Sequence, residues 1–311
     1  MILDADRRRR LLRLAGSGGI VAGIALDHRD SLRVILERRG FGTLSVAELR
    51  DLKLRLARVL APSATAIMLD EELGGQALDE GVVPPSVGLI MPLEAQGYEI
   101  VGDGRTTTLL EDFTPGDALG RGADACKLLL PYRVDHGPSA ARQDALVAAT
   151  ASACHAVGLP LVVEPVAYRW SDEAPEAFAD AYPRLVIDAV MRLRPLGIDL
   201  LKLPFPVLDP AATTEPVALA HARAVGAACG ETPWVLLGAG ADTAAFLEQI
   251  RLAGTAGASG FLAGRGIWGA ALGPDPDETE RVARTACRAD FERCRALAER
   301  VARPLDAGLR G

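Results

Sequence analysis

Leu159-Pro160-Leu161-Val162-Val163-Glu164-Pro165-Val166 is followed, one helical segment later, by Asp199-Leu200-Leu201-Lys202-Leu203-Pro204-Phe205-Pro206-Val207. Both runs are apolar without polar alternation, the pattern of a strand covered on both faces. Each nevertheless carries a single charged side chain in its middle, Glu164 in one and Lys202 in the other. The segment between them has helical spacing over residues 183–194 and is followed by Gly197, which suits a left-handed helix cap. Strand, helix and second strand of this kind form a βαβ unit, whose two strands are parallel.

The alternation continues in both directions. Further apolar runs occupy residues 20–26, 65–69, 87–93, 125–130, 234–237 and 260–263, which makes eight strand candidates in all. Helical spacing recurs over 45–61, 140–156, 217–228 and 243–256. Ser45 with Glu48 three residues later is a capping-box start, and Gly158 and Gly257 sit where caps are wanted. Eight strands alternating with helices predict an α/β protein built as a single parallel (β/α)8 TIM barrel, with helical extensions at the N- and C-termini. Residues 1–311 read as one barrel domain, because no linker or low-complexity stretch divides them. A doubly wound open sheet is the alternative. Its glycine fingerprint should follow the first strand, whereas Gly16-Ser17-Gly18-Gly19 precedes it. Residues 94–122 show little periodicity and are expected to form a loop with a short helix. Residues 277–303 are expected to form one long helix against the barrel.

The net charge of −7 gives no basic excess for nucleic acid. The cluster Arg7 to Arg10 reads as the solvated face of an opening helix. No apolar run reaches the roughly 18 residues of a membrane span, and the N-terminus lacks the order of a signal peptide. A cytoplasmic protein is expected. Its five cysteines (Cys126, Cys154, Cys229, Cys287 and Cys294) are scattered and read as buried free thiols. The four histidines form no metal-binding pattern, so neither a metal site nor a cofactor is expected. Of the 34 basic residues only three are lysines: Lys53, Lys127 and Lys202. Arginine stays protonated, whereas a buried lysine can lose its proton and act as a nucleophile. For Lys53 taken alone, chance retention is the simpler reading.

Functional residues of a parallel barrel gather at the C-terminal ends of its strands. Those positions here hold Asp27, Asp70, Glu94, Lys127, Glu164 and Lys202, then the loops Gly238-Ala239-Gly240 and Gly264-Arg265. Two lysines and a glutamate in three successive apolar strands form either a structural ion-pair network or an active site. As a site, Lys202 would attack a carbonyl, with Lys127 as a second cation favouring the neutral amine. Glu164 would move protons, and Asp27 would orient a lysine or a substrate hydroxyl. The last two loops have the small residues of a barrel anion site, to which Arg265 adds a planar fork.

Several stretches together resemble the class I tagatose bisphosphate aldolase family. They are Ala25-Leu26-Asp27, Met68-Leu69-Asp70, Glu94-Ala95-Gln96-Gly97-Tyr98, Gly122-Ala123-Asp124-Ala125-Cys126-Lys127, Val163-Glu164, Asp199-Leu200-Leu201-Lys202, and the run from Ala256 through Gly260-Phe261-Leu262-Ala263-Gly264-Arg265. That last run, with Pro233-Trp234-Val235, is similar to the sulfofructose phosphate aldolase relatives. The resemblance implies a metal-independent lyase in which Lys202 forms the Schiff base and Glu164, Lys127 and Asp27 are its catalytic neighbours. Arg265 and the Gly238 loop would bind the anion. The substrate-binding candidates are His28, Arg29, Gly238, Ala239, Gly240, Gly264 and Arg265. The implied substrate is a small ketose phosphate or sulfo-sugar phosphate, cleaved to dihydroxyacetone phosphate and an aldehyde, and the implied assembly is a homo-oligomer. Three positions depart from the family pattern. His28 stands where a glutamine is usual, Gly238 where a serine helps hold the anion, and Pro204 where a glutamate follows the lysine. A transaldolase using the same lysine and a non-catalytic sugar-phosphate-binding barrel are the alternatives.

Overall fold

The computed structural model describes residues 3–209 and 213–308. Its strands, in chain order, are β1 (Val21–Ala25), β2 (Ala66–Met68), β3 (Gly88–Pro92), β4 (Glu99–Val101), β5 (Gly104–Thr106), β6 (Ala125–Pro131), β7 (Leu161–Val166), β8 (Leu200–Leu203), β9 (Trp234–Leu237) and β10 (Gly260–Ala263). Its α-helices are α1 (Ala5–Arg13), α2 (Asp30–Arg38), α3 (Val46–Leu60), α4 (Glu71–Asp79), α5 (Pro115–Gly120), α6 (Gly137–Ala156), α7 (Pro175–Leu193), α8 (Glu215–Cys229), α9 (Thr243–Thr255), α10 (Arg265–Trp268), α11 (Pro276–Val282) and α12 (Arg288–Val301). All but β4 and β5 pair in parallel and close into a barrel in the order β1-β10-β9-β8-β7-β6-β3-β2. The expected TIM barrel is therefore the fold, and the open doubly wound sheet is excluded by the pairing of β1 with β10.

The strand period of two sets what faces inward. Ala25, Met68, Ile90, Ala125, Val162, Leu200, Val235 and Leu262 pack together as the barrel interior. Leu11, Leu14 and Leu305 join the same cluster and close its N-terminal end. The helix α1 (Ala5–Arg13) sits so close beneath β3 that a Cβ on Gly88 would meet the Arg13 carbonyl oxygen at 2.8 Å. Two residues on from Ala125, Val162 and Leu200 come Lys127, Glu164 and Lys202. The inward layer towards the C-terminal ends of the strands is thus charged by the same alternation that makes the layer below it apolar.

Local signals hold where they rest on capping chemistry. Ser45 and Glu48 form the reciprocal capping box of α3 (Val46–Leu60). Gly158, Gly197 and Gly257 all adopt positive φ. All five cysteines are buried and free. No helix among the described residues is long and apolar enough to cross a membrane.

Four local expectations are corrected. Residues 94–122 contain an antiparallel hairpin, β4 with β5, as well as the short helix α5 (Pro115–Gly120). Its two-residue turn, Gly102-Asp103, is a hairpin signal, but strands of three residues are too short to show periodicity. The helix expected from residue 183 begins eight residues earlier, as α7 (Pro175–Leu193) with Pro183 inside it. Phe178 and Tyr182 are buried on its first turns, so packing outweighs the backbone hydrogen bond that Pro183 removes. The C-terminal helix is α11 (Pro276–Val282) and α12 (Arg288–Val301) joined by a π segment, Ala283–Cys287. Finally, Arg7 does not lie on a solvated face. It is buried and bonds Asp4 and Asp199, tying α1 to the strand start at β8.

Lys53 proves to be structural rather than incidental. It lies 1 % exposed on α3 and is ion-paired with Asp70, which is equally buried and caps α4 (Glu71–Asp79) through the Leu73 N–H. Removing one member of a buried pair strands the other charge. Lys53→Met should therefore cost about 3–5 kcal/mol of unfolding free energy in a urea titration. A loss of about 1 kcal/mol or less, the worth of a surface pair, would show that Asp70 finds solvent or another partner.

Candidate active site

The C-terminal mouth of the barrel holds a cavity of about 480 Å³. Asp27, Glu94, Lys127, Glu164 and Lys202 line its floor, and His28, Ala239, Gly240, Gly264 and Arg265 line one side. Gln96, Gly97 and Tyr98 line another part of the wall. The residues read from the ends of β1, β6, β7 and β8 are thus brought to one place.

The floor is a network of buried charge. Lys127 Nζ donates to Asp27 Oδ2 at 2.9 Å and to Glu94 Oε1 at 2.5 Å, and lies 3.4 Å from Glu164 Oε2. Lys202 Nζ donates to the same Glu164 oxygen at 2.8 Å and approaches Met68 Sδ at 3.9 Å. The two ammonium groups therefore meet on one carboxylate oxygen. Burial opposes the charge on Lys127, but Asp27, Glu94 and Glu164 outweigh it and hold its pKa well above the ordinary lysine value. Burial also opposes the Asp27 carboxylate, yet Lys127 and Lys202 bring its pKa far below the usual range. Glu94 moves the other way: burial, with the neighbouring Asp27 charge, raises its pKa against the pull of Lys127. The network thus has one fixed cation, one fixed anion and a glutamate whose carboxyl is pushed above the usual carboxylate range. Lys127 spends its charge on three carboxylates and does not face Lys202 alone.

Glu94 was visible in the sequence as a strand-end carboxylate, but its part in this network was not. Nothing in its spacing shows that it folds back onto Lys127. Asp70, also a strand-end carboxylate, is not at the site, because Lys53 and the α4 N-terminus take both of its oxygens. Arg29 is likewise outside the cavity lining. It is 2 % exposed and donates to the Glu94 carbonyl oxygen at 2.6 Å, so it braces the loop that carries Glu94.

His28 and Gly264 are coupled. A Cβ on Gly264 would lie 2.9 Å from His28 Cε1, so the glycine makes room for the imidazole. The ring packs edge-on against Trp268, with centroids 5.1 Å apart, and Trp268 Nε1 donates to the Ala25 carbonyl oxygen. His28 Nδ1 is buried without a hydrogen-bond partner and lies 3.8 Å from Asp27 Oδ1. Gly238 does not line the cavity. A Cβ there would sit 3.1 Å from Ala263 Cα, so the serine of the family pattern would require β10 to shift. Ala239 takes φ +42°, a left-handed conformation that costs a non-glycine residue about 1–3 kcal/mol.

A closed parallel barrel with lysines and carboxylates in the upper layer of its interior defines a barrel enzyme. Residues 22–270 match the DeoC/LacD family aldolase model. The chain is 30% identical over 302 residues to the tagatose 1,6-diphosphate aldolase of Lactococcus lactis subsp. lactis, covering 91% of each chain. It is 29% identical over 280 residues to tagatose 1,6-diphosphate aldolase 1 of Enterococcus faecalis (strain ATCC 700802 / V583), covering 86% of this chain and 85% of the relative. The same fold is seen in an archaeal fructose-1,6-bisphosphate aldolase whose catalytic lysine is bound to a carbinolamine intermediate. That match has a TM-score of 0.61 at 19% identity and covers 94% of this chain and 99% of the other. The chain belongs to the DeoC/LacD aldolase family, and it is a lyase.

The His28 environment makes a direct prediction. Burial, reinforced by Arg265, Lys202 and Lys53 against the opposing Asp27, lowers its pKa to about 4. A histidine in an unfolded chain titrates at about 6.5, so the folded state binds fewer protons between those values. The stability this neutral ring contributes is complete above about pH 6.5 and is lost as pH falls towards 4. The His28 resonance, assigned through His28→Gln, should stay neutral at about pH 6 in an NMR titration. A midpoint near the ordinary histidine value would mean the ring is solvated.

Proposed function

We propose that this chain is a class I aldolase that cleaves a ketose bisphosphate through a Schiff base on Lys202, releasing dihydroxyacetone phosphate and an aldehyde. The observation that carries the reading is the 2.8 Å contact between Lys202 Nζ and Glu164 Oε2 inside the barrel. An amine attacks a carbonyl only when neutral, and a proton passed across that contact leaves a neutral amine beside a carboxylic acid. The amine adds to C2 of the ketose. The C2 oxygen takes one proton from the added amine and one from Glu164 and leaves as water, the C2–nitrogen double bond forms, and Glu164 is again a carboxylate. The Glu164 carboxylate takes the proton of the C4 hydroxyl as the C3–C4 bond breaks, and it holds that proton for C3. The aldehyde departs, and the electron pair is held as an enamine on the three-carbon fragment. Protonation at C3 and addition of water then free the triose phosphate and the lysine.

Lys127 and Asp27 have a supporting part. Held as a fixed pair on the cavity floor, they can orient substrate hydroxyls without exchanging protons themselves. Arg265, Gly240 and Gly264 lie at the ends of β9 and β10, where barrel enzymes commonly bind phosphate through backbone N–H groups. The nearby imidazole of His28 can donate to the same anion or accept from a hydroxyl. Because the imine is itself the electron sink, overnight chelation should leave turnover unchanged. The relatives named for tagatose 1,6-diphosphate support a sugar phosphate substrate. A sulfonated ketose phosphate belongs to the same reading, as do a cytoplasmic setting and assembly as a homo-oligomer. Free dihydroxyacetone phosphate as product separates an aldolase from a transaldolase.

Borohydride added during turnover should reduce the imine and leave a stable mass on the tryptic peptide containing Lys202. Label on Lys127 instead, or none with any competent ketose, would overturn the assignment. Glu164→Gln should fold normally and turn over roughly 10²–10⁴-fold more slowly, the usual effect of losing a general acid–base. Near-wild-type turnover in that variant would make Glu164 a structural ligand of the two lysines.

A further inference from the structure

The hairpin β4–β5 is anchored above β3. Glu94 and Leu109 form an isolated bridge, and the Ala95 N–H donates to the Thr108 carbonyl oxygen. In the barrel order β3 lies four strands from β9, and β6 lies four strands from β10. The hairpin connects β3 to β6. It therefore stands across the mouth from the loops that carry Gly240, Gly264 and Arg265.

Arg105 on this hairpin is held in an unusual way. Its guanidinium carbon lies 4.6 Å from the Tyr98 ring centroid and 4.4 Å from that of Tyr168. Its backbone N–H donates to the Tyr168 hydroxyl at 2.8 Å. The two rings engage the guanidinium, and such stacking leaves the in-plane N–H donors available to an anion. Nearby arginines have counter-ions: Arg133 bonds Asp135 and Glu173, and Arg142 bonds Glu99. Arg105 forms no ion pair among the described residues. An immobilised guanidinium with no carboxylate partner is a ready receptor for phosphate or sulfonate.

Tyr98 connects this arginine to the active site. It lines the catalytic cavity, and with Arg105, Tyr168 and Trp170 it also lines a neighbouring cleft. Three aspartates share that cleft. Asp135 is bound by Arg133, while Asp103 and Asp172 are exposed, where water and salt screen them.

We infer that Arg105, framed by Tyr98 and Tyr168, forms a subsite for the distal anionic group of the substrate, opposite the anion loops at β9 and β10. The inference rests on the aldolase reading above and adds the residue that selects for a second charged end. A ketose with one anion at Arg265 and its carbonyl at Lys202 would extend across the floor towards Glu94 and the hairpin. Arg105 is then a specificity-determining residue and takes no part in bond making.

The test compares a ketohexose 1,6-bisphosphate with the corresponding 1-phosphate, in wild type, Arg105→Ala and Arg105→Lys. The wild type should prefer the bisphosphate in kcat/KM. In Arg105→Ala that preference should fall by about 10- to 100-fold, as expected for losing charge-assisted hydrogen bonds. Arg105→Lys, which keeps the charge but loses the fork, should fall less. Calorimetric titration with the unreactive hexitol 1,6-bisphosphate and hexitol 1-phosphate reads the same preference without turnover. A failed borohydride label at Lys202 would therefore count against the aldolase chemistry, while the hexitol titration still judges the subsite. Absence of any bisphosphate preference in the wild type overturns the subsite. So does a loss that is equal on both ligands, or no loss, in Arg105→Ala.

Discussion

Everything at the mouth of this barrel depends on one constraint: two lysines and three acidic residues are held together with almost none of their surface exposed to solvent. Lys127, Lys202, Asp27, Glu94 and Glu164 are each between 2 % and 9 % exposed. The effective penalty for burying an ion is several kcal/mol, recovered only with close, well-oriented partners. Lys127 satisfies that condition by bonding Asp27 and Glu94 and lying beside Glu164. This arrangement leaves Lys202 with Glu164 as its one carboxylate partner among the described residues. The lysine assigned to bond making is thus the less encumbered of the two. A strongly paired ammonium would be a poor nucleophile, which is why the same chemistry is not assigned to Lys127.

The barrel satisfies this constraint through its register. Strand pairing places Leu129 beside Glu164, and Lys127 beside Val162, so neighbouring charged residues are staggered along the axis. The apolar layer below them is sealed by α1, and the loops above are braced by hydrogen bonds and close packing. Arg29 supports the Glu94 loop, Trp268 supports His28 and the end of β1, and Gly264 yields the space that His28 fills. These contacts tie the charged floor to both sides of the mouth. A substitution at Arg29 or Trp268 would act on the site by moving what it braces.

The architecture was legible in the sequence because buried parallel strands read as uninterrupted apolar runs, and eight of them recur with helices between. Lys202, Glu164 and Lys127 were legible for a related reason: a charge inside such a run has no cheap explanation. The hairpin was not legible, since two strands of three residues each are too short to carry a hydrophobic pattern. Nor was the start of α7, where helical spacing was read only from Pro183 and the buried Phe178 and Tyr182 carry the helix eight residues further back. The place of Arg29 was not legible either, since nothing along the chain shows that its guanidinium bonds the Glu94 carbonyl oxygen.

The sequence by itself determined the eight-stranded parallel barrel and the charged residues of its interior. Both follow from short-range periodicity and from the cost of burying charge, which act along the chain whatever the final packing. Only the tertiary structure decided which charges pair. It sent Asp70 to Lys53 and drew Glu94 onto Lys127. Pairing depends on distances between strands that are far apart in sequence, and closing the barrel is the step that sets those distances.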